Sequence, residues 1–217
     1  MQDRNTIIRK YAKEDRQRVR DIAFETALMG EPASLFYEDR DMLADILTLY
    51  FTDYEPESSF VADSGGRVVG YLTGAKDEKA FNRIFLSRII PKTLVKAVTN
   101  GVLRKNAHIM FLFRLLGSFI KGEFIVPDFS KAYPAILHIN LEKGFRGMGL
   151  GSKLIAAYSD YLAREKVKGM HLFTMSDMAS HFFSNAGFVL LHKGVRSYLK
   201  DIVNKDVYLY VYGKKLI

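Results

Sequence analysis

The sequence predicts an α/β (α+β) fold built on a mixed, mostly antiparallel sheet of six to seven strands flanked by helices. Short runs rich in β-branched and aromatic residues alternate with longer stretches in which apolar residues recur at helical spacing. Two pairs of runs are expected to be antiparallel neighbours: 59–63 with 67–74 across Ser64-Gly65-Gly66, and the terminal runs 187–193 and 206–213. At 217 residues, a single domain is expected.

The first elements are a strand over residues 6–9 and a helix over 13–30, in which apolar residues recur every three or four positions until a glycine closes the pattern. Pro32 interrupts this pattern, and a second helix is predicted over 38–51. The hairpin of 59–63 and 67–74 then supplies the second and third strands.

Residues 76–131 are predicted to be a helical insertion between strands three and four, with helices over 92–104 and 106–120. The segment has eleven Lys or Arg residues against four acids, and therefore carries +7 of the chain's net charge of +8. This excess can attract a polyanion. The helices are also too apolar to stand alone. A dimer contact, structural padding and docking on a membrane surface are three interpretations of what these helices cover.

The second half of the chain alternates again between strands and helices. A strand is predicted over 135–141, a helix over 149–165, a strand over 169–175 and a helix over 177–186. The two terminal strands follow.

Composition excludes several classes of protein. The chain has no cysteine, which excludes a disulfide framework, a thiol nucleophile and cysteine ligands to a metal. Its polar start resembles no export signal, so a cytoplasmic protein is expected. The longest apolar stretch, 109–120, is interrupted by Arg114 and is shorter than the roughly 20 residues of a membrane span.

The stretch 138–154 runs from a predicted strand through three glycines into a predicted helix. Gly147, Gly149 and Gly151 stand at alternate positions, and a glycine backbone can turn tightly and approach a ligand closely. The free amides at the start of the helix favour negative charge. Arg146 and Lys153 can add charge-assisted hydrogen bonds. The segment therefore predicts a site for a diphosphate.

Two other phosphate-binding loops fit this stretch less well. A nucleoside triphosphate loop places Ser or Thr after its lysine, but Lys153 is followed by Leu154. In a dinucleotide-binding fold the loop follows the first strand, whereas this loop comes after about two thirds of the chain. Plain turn chemistry remains an alternative for the glycines taken alone.

The loop resembles that of the GNAT superfamily of N-acetyltransferases. The family's signature is an Arg or Gln, two residues, a Gly, one residue and a Gly or Ala, which Arg146-Gly147-Met148-Gly149-Leu150-Gly151 fits throughout. Ala179, Phe182-Phe183 and Gly187-Phe188 resemble the family's second conserved segment. The resemblance covers about residues 6–75 and 132–213. It implies a GNAT-like sheet, with the insertion outside the shared part. In this family the region between the third and fourth strands adjoins the acceptor cleft, so a lid over the acceptor is the leading interpretation of the inserted helices.

The resemblance also implies how acetyl-CoA would bind. The strand before the loop splays from its neighbour, and the main chain of Ile139 and Leu141 holds the pantetheine arm. An amide near Leu141 polarises the thioester carbonyl, and the loop amides hold the pyrophosphate. The residues implied in cofactor binding are Ile139, Leu141, Arg146, Gly147, Met148, Gly149, Leu150, Gly151, Ser152, Lys153, Ser176 and Phe183, with no metal.

The implied reaction is direct attack of a neutral amine on the thioester, which needs a base for the amine proton and an acid for the departing sulfur. Many relatives carry a tyrosine acid at the position of Phe183, which cannot donate a proton. Ser184 or His181 is an alternative donor, or the thiolate leaves unprotonated.

Other polar residues are candidates for the acceptor side. His138 has an imidazole that titrates near neutral pH, and it shares one face of its strand with Asn140, so both are catalytic candidates. Glu123 and Asp128, at the end of the insertion, are candidates for contacting a cationic acceptor.

Together these patterns predict an acyl-CoA-dependent N-acyltransferase that moves an acetyl group from acetyl-CoA to a primary amine of a small molecule. The alternative is a domain that binds acetyl-CoA as a sensor or interaction module with little or no turnover, which Phe183 favours. Nucleic-acid binding through the basic insertion is a third class; no nucleic-acid partner is expected, and a homodimer is one further alternative. The acceptor cannot be read from the sequence, since pockets on one fold vary.

Overall fold

The computed structural model describes residues 6–32, 39–99 and 106–216 of the 217-residue chain. Seven strands form one sheet in the order β1-β2-β3-β4-β5-β7-β6. The β4–β5 pair is parallel, and every other neighbouring pair is antiparallel. This confirms the predicted fold class. The strands are β1 (Thr6–Lys10), β2 (Phe60–Ser64), β3 (Arg67–Ala75), β4 (Ala135–Leu141), β5 (Gly169–Thr174), β6 (Val189–Val195) and β7 (Tyr208–Lys215).

Helices cover both faces of the sheet. They are α1 (Arg16–Glu25), α2 (Arg40–Asp53), α3 (Glu78–Ile84), α4 (Ile90–Thr99), α5 (Asn106–Ile120), α6 (Leu150–Arg164), α7 (Asp177–Asn185) and α8 (Lys200–Val203). The main core lies between the sheet and α6 and α7. On the opposite face, α1 packs against β2 and β3, and α2 against β3 and β4. We call these the α6 face and the α1 face.

Helix α6 shows how the pattern of apolar residues sets the packing. Its buried side chains recur at spacings of one, three or four, which places them on one side of the helix. They are Leu150, Leu154, Ile155, Tyr158, Tyr161 and Leu162. Because α6 begins directly after the glycine loop, this packing fixes the position of the loop against the sheet.

Tyr158 ties this helix to the two central strands. Its buried hydroxyl donates toward the carbonyls of Ala75 at 3.2 Å and Ile136 at 3.0 Å. We expect Tyr158→Phe to lower the free energy of unfolding by about 1–2 kcal/mol, because the carbonyls lose their buried donor. Urea unfolding monitored by circular dichroism checks this. An unchanged midpoint would show that the hydroxyl contributes nothing to stability.

The first helix is shorter than predicted. The sequence predicted a helix over 13–30. In the structure, residues 13–15 form a short 3-10 turn, and α1 then runs from Arg16 only to Glu25. Met29 and Gly30 adopt positive φ values of 54° and 97°, which a right-handed helix does not accommodate. The apolar pattern continues past the end of the helix because Leu28 packs into a separate cluster.

Between β3 and β4, where the insertion was predicted, the described residues form the three α-helices α3, α4 and α5. A π-helical turn over Phe85–Ile89 joins α3 to α4 and was not predicted. α5 agrees with the predicted helix over 106–120, and α4 covers part of the predicted helix over 92–104. Residues 100–104 of that prediction lie outside the described residues. Residue 38, the first of the predicted second helix, also lies outside them. That these helices form an insertion in a single domain stays a prediction. No described helix has the length and apolarity to cross a bilayer.

Candidate active site

Strands β4 and β5 separate after a short paired segment. Their register ends at Ile136 opposite His171, while β4 stays paired with β3 as far as Leu141. The Glu142 amide donates to Val69 on β3 at 2.9 Å. Since main-chain groups alternate between the two edges of a strand, the amides of Ile139 and Leu141 face the gap. The gap widens toward the glycine loop.

The glycine loop forms a concave run of amides at the wide end of this gap. Gly147 and Gly149 have φ values of +78° and +76°, which favour glycine. Among the described residues, the amides of 147–152 donate no main-chain hydrogen bond. The next amide, that of Lys153, donates to the Gly149 carbonyl at 3.1 Å. The amides of this run at the start of α6 are therefore available to bind an anion.

The side chains of the loop divide between the core and the solvent. Leu150 is fully buried, whereas Ser152 and Lys153 are exposed and stand at the start of α6. A Cβ on Gly151 would lie 2.8 Å from the Phe182 ring, so only glycine lets α6 approach α7 this closely. The exposed positive charge of Lys153 remains close to the free amides.

Arg146 braces the loop. Its Nε donates to the Leu141 carbonyl at 3.1 Å, and its guanidinium also donates to the Gly30 carbonyl at 2.9 Å. These contacts fix the junction between β4 and the loop. The predicted contact between this guanidinium and a phosphate stays a prediction.

His138 and Asn140 lie on the α1 face, opposite Ile139 and Leu141, and form a network with Tyr71. The Asn140 amide donates to the Tyr71 hydroxyl at 2.9 Å and lies 3.1 Å from Nε2 of His138. Nδ1 of His138 lies 3.3 Å from the Tyr71 hydroxyl. Burial lowers the pKa of His138 to about 4, so its imidazole is neutral at pH 7. The catalytic role predicted for His138 and Asn140 stays a prediction.

Helix α7 lies beyond the loop. Ser176 caps it, because its hydroxyl accepts from the Ala179 amide at 3.3 Å. Phe183 is 4% exposed and packs its ring against Phe188 and Tyr212 in the core. Ser184 is exposed, as is His181. The roles predicted for these residues stay predictions. The structure shows that the ring of Phe183 is part of the packed core.

Glu123 and Asp128, the two acidic candidates of the insertion, lie in different parts of the structure. The Glu123 carboxylate accepts from the Ser197 amide at 2.7 Å, and its main-chain carbonyl accepts from Arg196. Asp128 lines the mouth of a cavity of about 270 Å³ on the α1 face of β5. Asp128 is therefore the one placed to meet a ligand there.

The same cavity contains residues that sequence analysis missed. Glu78, Ser130 and His171 line it, together with Phe173. His171 alternates with the core residues Met170 and Leu172 along β5, a pattern that places it on the other face. Its position at the last β4–β5 pair depends on the sheet order, which the sequence alone does not show.

Searches against family models and against curated proteins found no match to this sequence. Solved structures do match. SsHAT has a TM-score of 0.74 at 23% identity, over 98% of this chain and 99% of that chain. The putative acetyltransferase yncA from Salmonella typhimurium, solved with its cofactor acetyl-CoA, has a TM-score of 0.58 at 15% identity, over 98% and 95%.

A third match is the polyamine N-acetyltransferase of Drosophila melanogaster, which catalyses formation of N-acetylagmatine. Its TM-score is 0.58 at 12% identity, over 97% of this chain and 100% of that chain. The chain therefore has the fold of the GNAT acetyltransferases, as the resemblance predicted.

Proposed function

We propose that this chain is an N-acetyltransferase that moves an acetyl group from acetyl-CoA to a primary amine. The observation that carries the proposal is the continuity between the free amides of 147–152 and the gap between β4 and β5. A diphosphate on these amides sends a pantetheine arm into the gap, where the edge of β4 offers main-chain donors and acceptors.

Each part of the site has a role in this reaction. The amide of Leu141 faces the gap and can donate to the thioester carbonyl, where negative charge develops as the amine attacks. Arg146 holds the carbonyl of the same residue, so the strand edge is fixed before the reaction begins. Such preorganised donors stabilise a transition state more than donors that must reorganise.

The matched structures support an amine as acceptor. One of them forms N-acetylagmatine and is named a polyamine acetyltransferase, and another is named an agmatine acetyltransferase, matched at a TM-score of 0.54. We extend this class of acceptor, a small primary amine, to the present chain. Phe183 supplies no hydroxyl, so the departing thiolate takes its proton from water or from a neighbouring group.

The proposal is tested by mixing the purified chain with acetyl-CoA and a panel of primary amines, and measuring release of the CoA thiol. Time-dependent release that requires an amine, together with an N-acetylated product in mass spectrometry, is expected. Binding of acetyl-CoA without turnover on any amine would support the sensor alternative instead. Absence of both binding and turnover would refute the proposal.

A further inference from the structure

The cavity beside β5 contains two acceptors that face each other. Nδ1 of His171 lies 2.7 Å from the Tyr133 carbonyl. A carbonyl can only accept, so Nδ1 carries the proton and neutral His171 leaves Nε2 as an acceptor. The Glu78 carboxylate lies 3.5 Å from this Nε2. While the imidazole is neutral, no hydrogen lies between these two atoms, and both can accept from a donor.

A second group in the cavity also lacks a partner. Ser130 is 7% exposed, and among the described residues its hydroxyl is buried without a hydrogen bond. Its amide donates to the Asp128 carboxylate at 2.8 Å, and the hydroxyl lies near that carboxylate, lowering the pKa of Asp128 together with the amide. A polar ligand in the cavity can hydrogen-bond to this hydroxyl.

The position of the cavity connects it to the cofactor gap. His171 belongs to the last β4–β5 pair, and Phe173 lies on the stretch of β5 that flanks the gap. An arm that enters this gap from the glycine loop runs toward the end of the gap at which His171 lies. The described residues that supply charge here are Glu78 and Lys79 of α3 and Asp128 of the loop before β4.

We propose that this cavity binds the acceptor as a primary ammonium, held between Glu78 and His171, and that Nε2 of His171 takes the proton the nitrogen must lose. This rests on the proposed acetyltransferase function and names its acceptor site. A primary ammonium has three N–H donors, so it can donate to both facing acceptors and to Ser130. Asp128 at the mouth favours acceptors with a second positive charge.

The proton and electron count of the step balances. The ammonium gives one proton to Nε2 of His171, and the freed electron pair of the nitrogen forms the bond to the thioester carbon. The carbon–sulfur bond breaks with its pair on sulfur, giving the CoA thiolate, and the second proton lost from nitrogen protonates that thiolate through water. The imidazolium formed at His171 is stabilised by the adjacent Glu78 carboxylate and then releases its proton to solvent.

His171→Asn is the sharpest test, because the asparagine amide can still donate to the Tyr133 carbonyl while Nε2 is lost. We expect kcat/KM for n-butylamine and 1,4-diaminobutane to fall about 10²-fold, the usual contribution of a general base, with acetyl-CoA affinity unchanged. A variant with unchanged kcat/KM for both amines would overturn the proposal.

Glu78→Gln tests binding separately from transfer. Binding of 1,4-diaminobutane is followed through the His171 imidazole resonances by NMR, which needs no turnover. We expect binding to weaken at least ~10-fold in Glu78→Gln, and to stay unchanged in the control Asp160→Asn, an exposed carboxylate on α6. If no amine perturbs His171, or Glu78→Gln binds like wild type, the acceptor site is wrong even where acetyl transfer is found.

Discussion

Gly149→Val is expected to weaken acetyl-CoA binding by about 10³-fold. Gly149 has a φ of +76° at the start of α6, and a β-branched residue in that region costs roughly 1–3 kcal/mol. Relief of this strain turns the neighbouring amides away from the anion, and each lost charge-assisted hydrogen bond costs a further ~1.5–3 kcal/mol. Isothermal titration calorimetry with acetyl-CoA measures the change.

Gly144→Ala is the matched control for this prediction. Gly144 lies in the same loop without a positive φ, and a Cβ there would have no atom within 4 Å. Gly144→Ala should therefore keep wild-type affinity, and both variants should keep the circular dichroism spectrum of wild type. Wild-type affinity in Gly149→Val would show that the conformation of this loop does not matter for binding.

Asp45→Ala is expected to lower the free energy of unfolding by at least ~2 kcal/mol, because it leaves the buried guanidinium of Arg20 with the exposed Asp41 as its remaining ionic partner. The carboxylate of Asp45 and the guanidinium of Arg20 are each only 7% exposed, and they form an ion pair between α2 and α1. Lys96 of α4 reaches the same carboxylate. Urea unfolding measures the loss. The control Asp206→Ala removes an exposed partner of Lys200 and should cost at most ~1 kcal/mol.

The pH dependence of this ion pair has a definite sign. Burial alone would raise the pKa of Asp45, but Lys96 and Arg20 together lower it below its usual value. A carboxyl whose folded-state pKa is depressed stabilises the fold above its unfolded pKa of roughly 4 and loses that contribution as pH falls further. The difference between wild type and Asp45→Ala should therefore shrink in acid. A difference that grows below pH ~4 would contradict this assignment.

The glycine loop shows what the sequence can specify. Its glycines and the β-rich run before them predicted a tight turn into a helix, and the structure has positive φ values at Gly147 and Gly149. Local chemistry was sufficient here, because few other residues adopt that conformation. The same holds for the apolar faces of the helices, where side-chain spacing alone decides which side is buried.

Contacts between distant segments were not predictable in the same way. The guanidinium of Arg146 reaches the Gly30 carbonyl across 116 positions of the chain, and α1 ends early because the backbone turns at Met29 and Gly30 to meet it. The pairing of Glu78 with His171 likewise depends on which strands are neighbours. A periodic pattern gives the face of a residue but not its partner on another element.

The role of the insertion stays a prediction, but the structure shows which elements its helices pack against. α4 packs on α2, and α5 packs on the segment around Tyr198 between β6 and β7. The two helices therefore pack on different elements, and the start of α3 lines the cavity of Glu78 and His171. The position of α3 beside this cavity supports the interpretation of the insertion as a cover over the acceptor.

We propose that the amides of 147–152 hold the diphosphate of CoA. Calorimetry of wild-type protein with acetyl-CoA and with S-acetylpantetheine, which lacks the diphosphate and the nucleotide, isolates the contribution of this contact to binding. We predict one acetyl-CoA site per chain and at least ~100-fold weaker binding of S-acetylpantetheine, because the charge-assisted hydrogen bonds are absent. Equal affinity for the two compounds, or no heat of binding with acetyl-CoA, would contradict the claim.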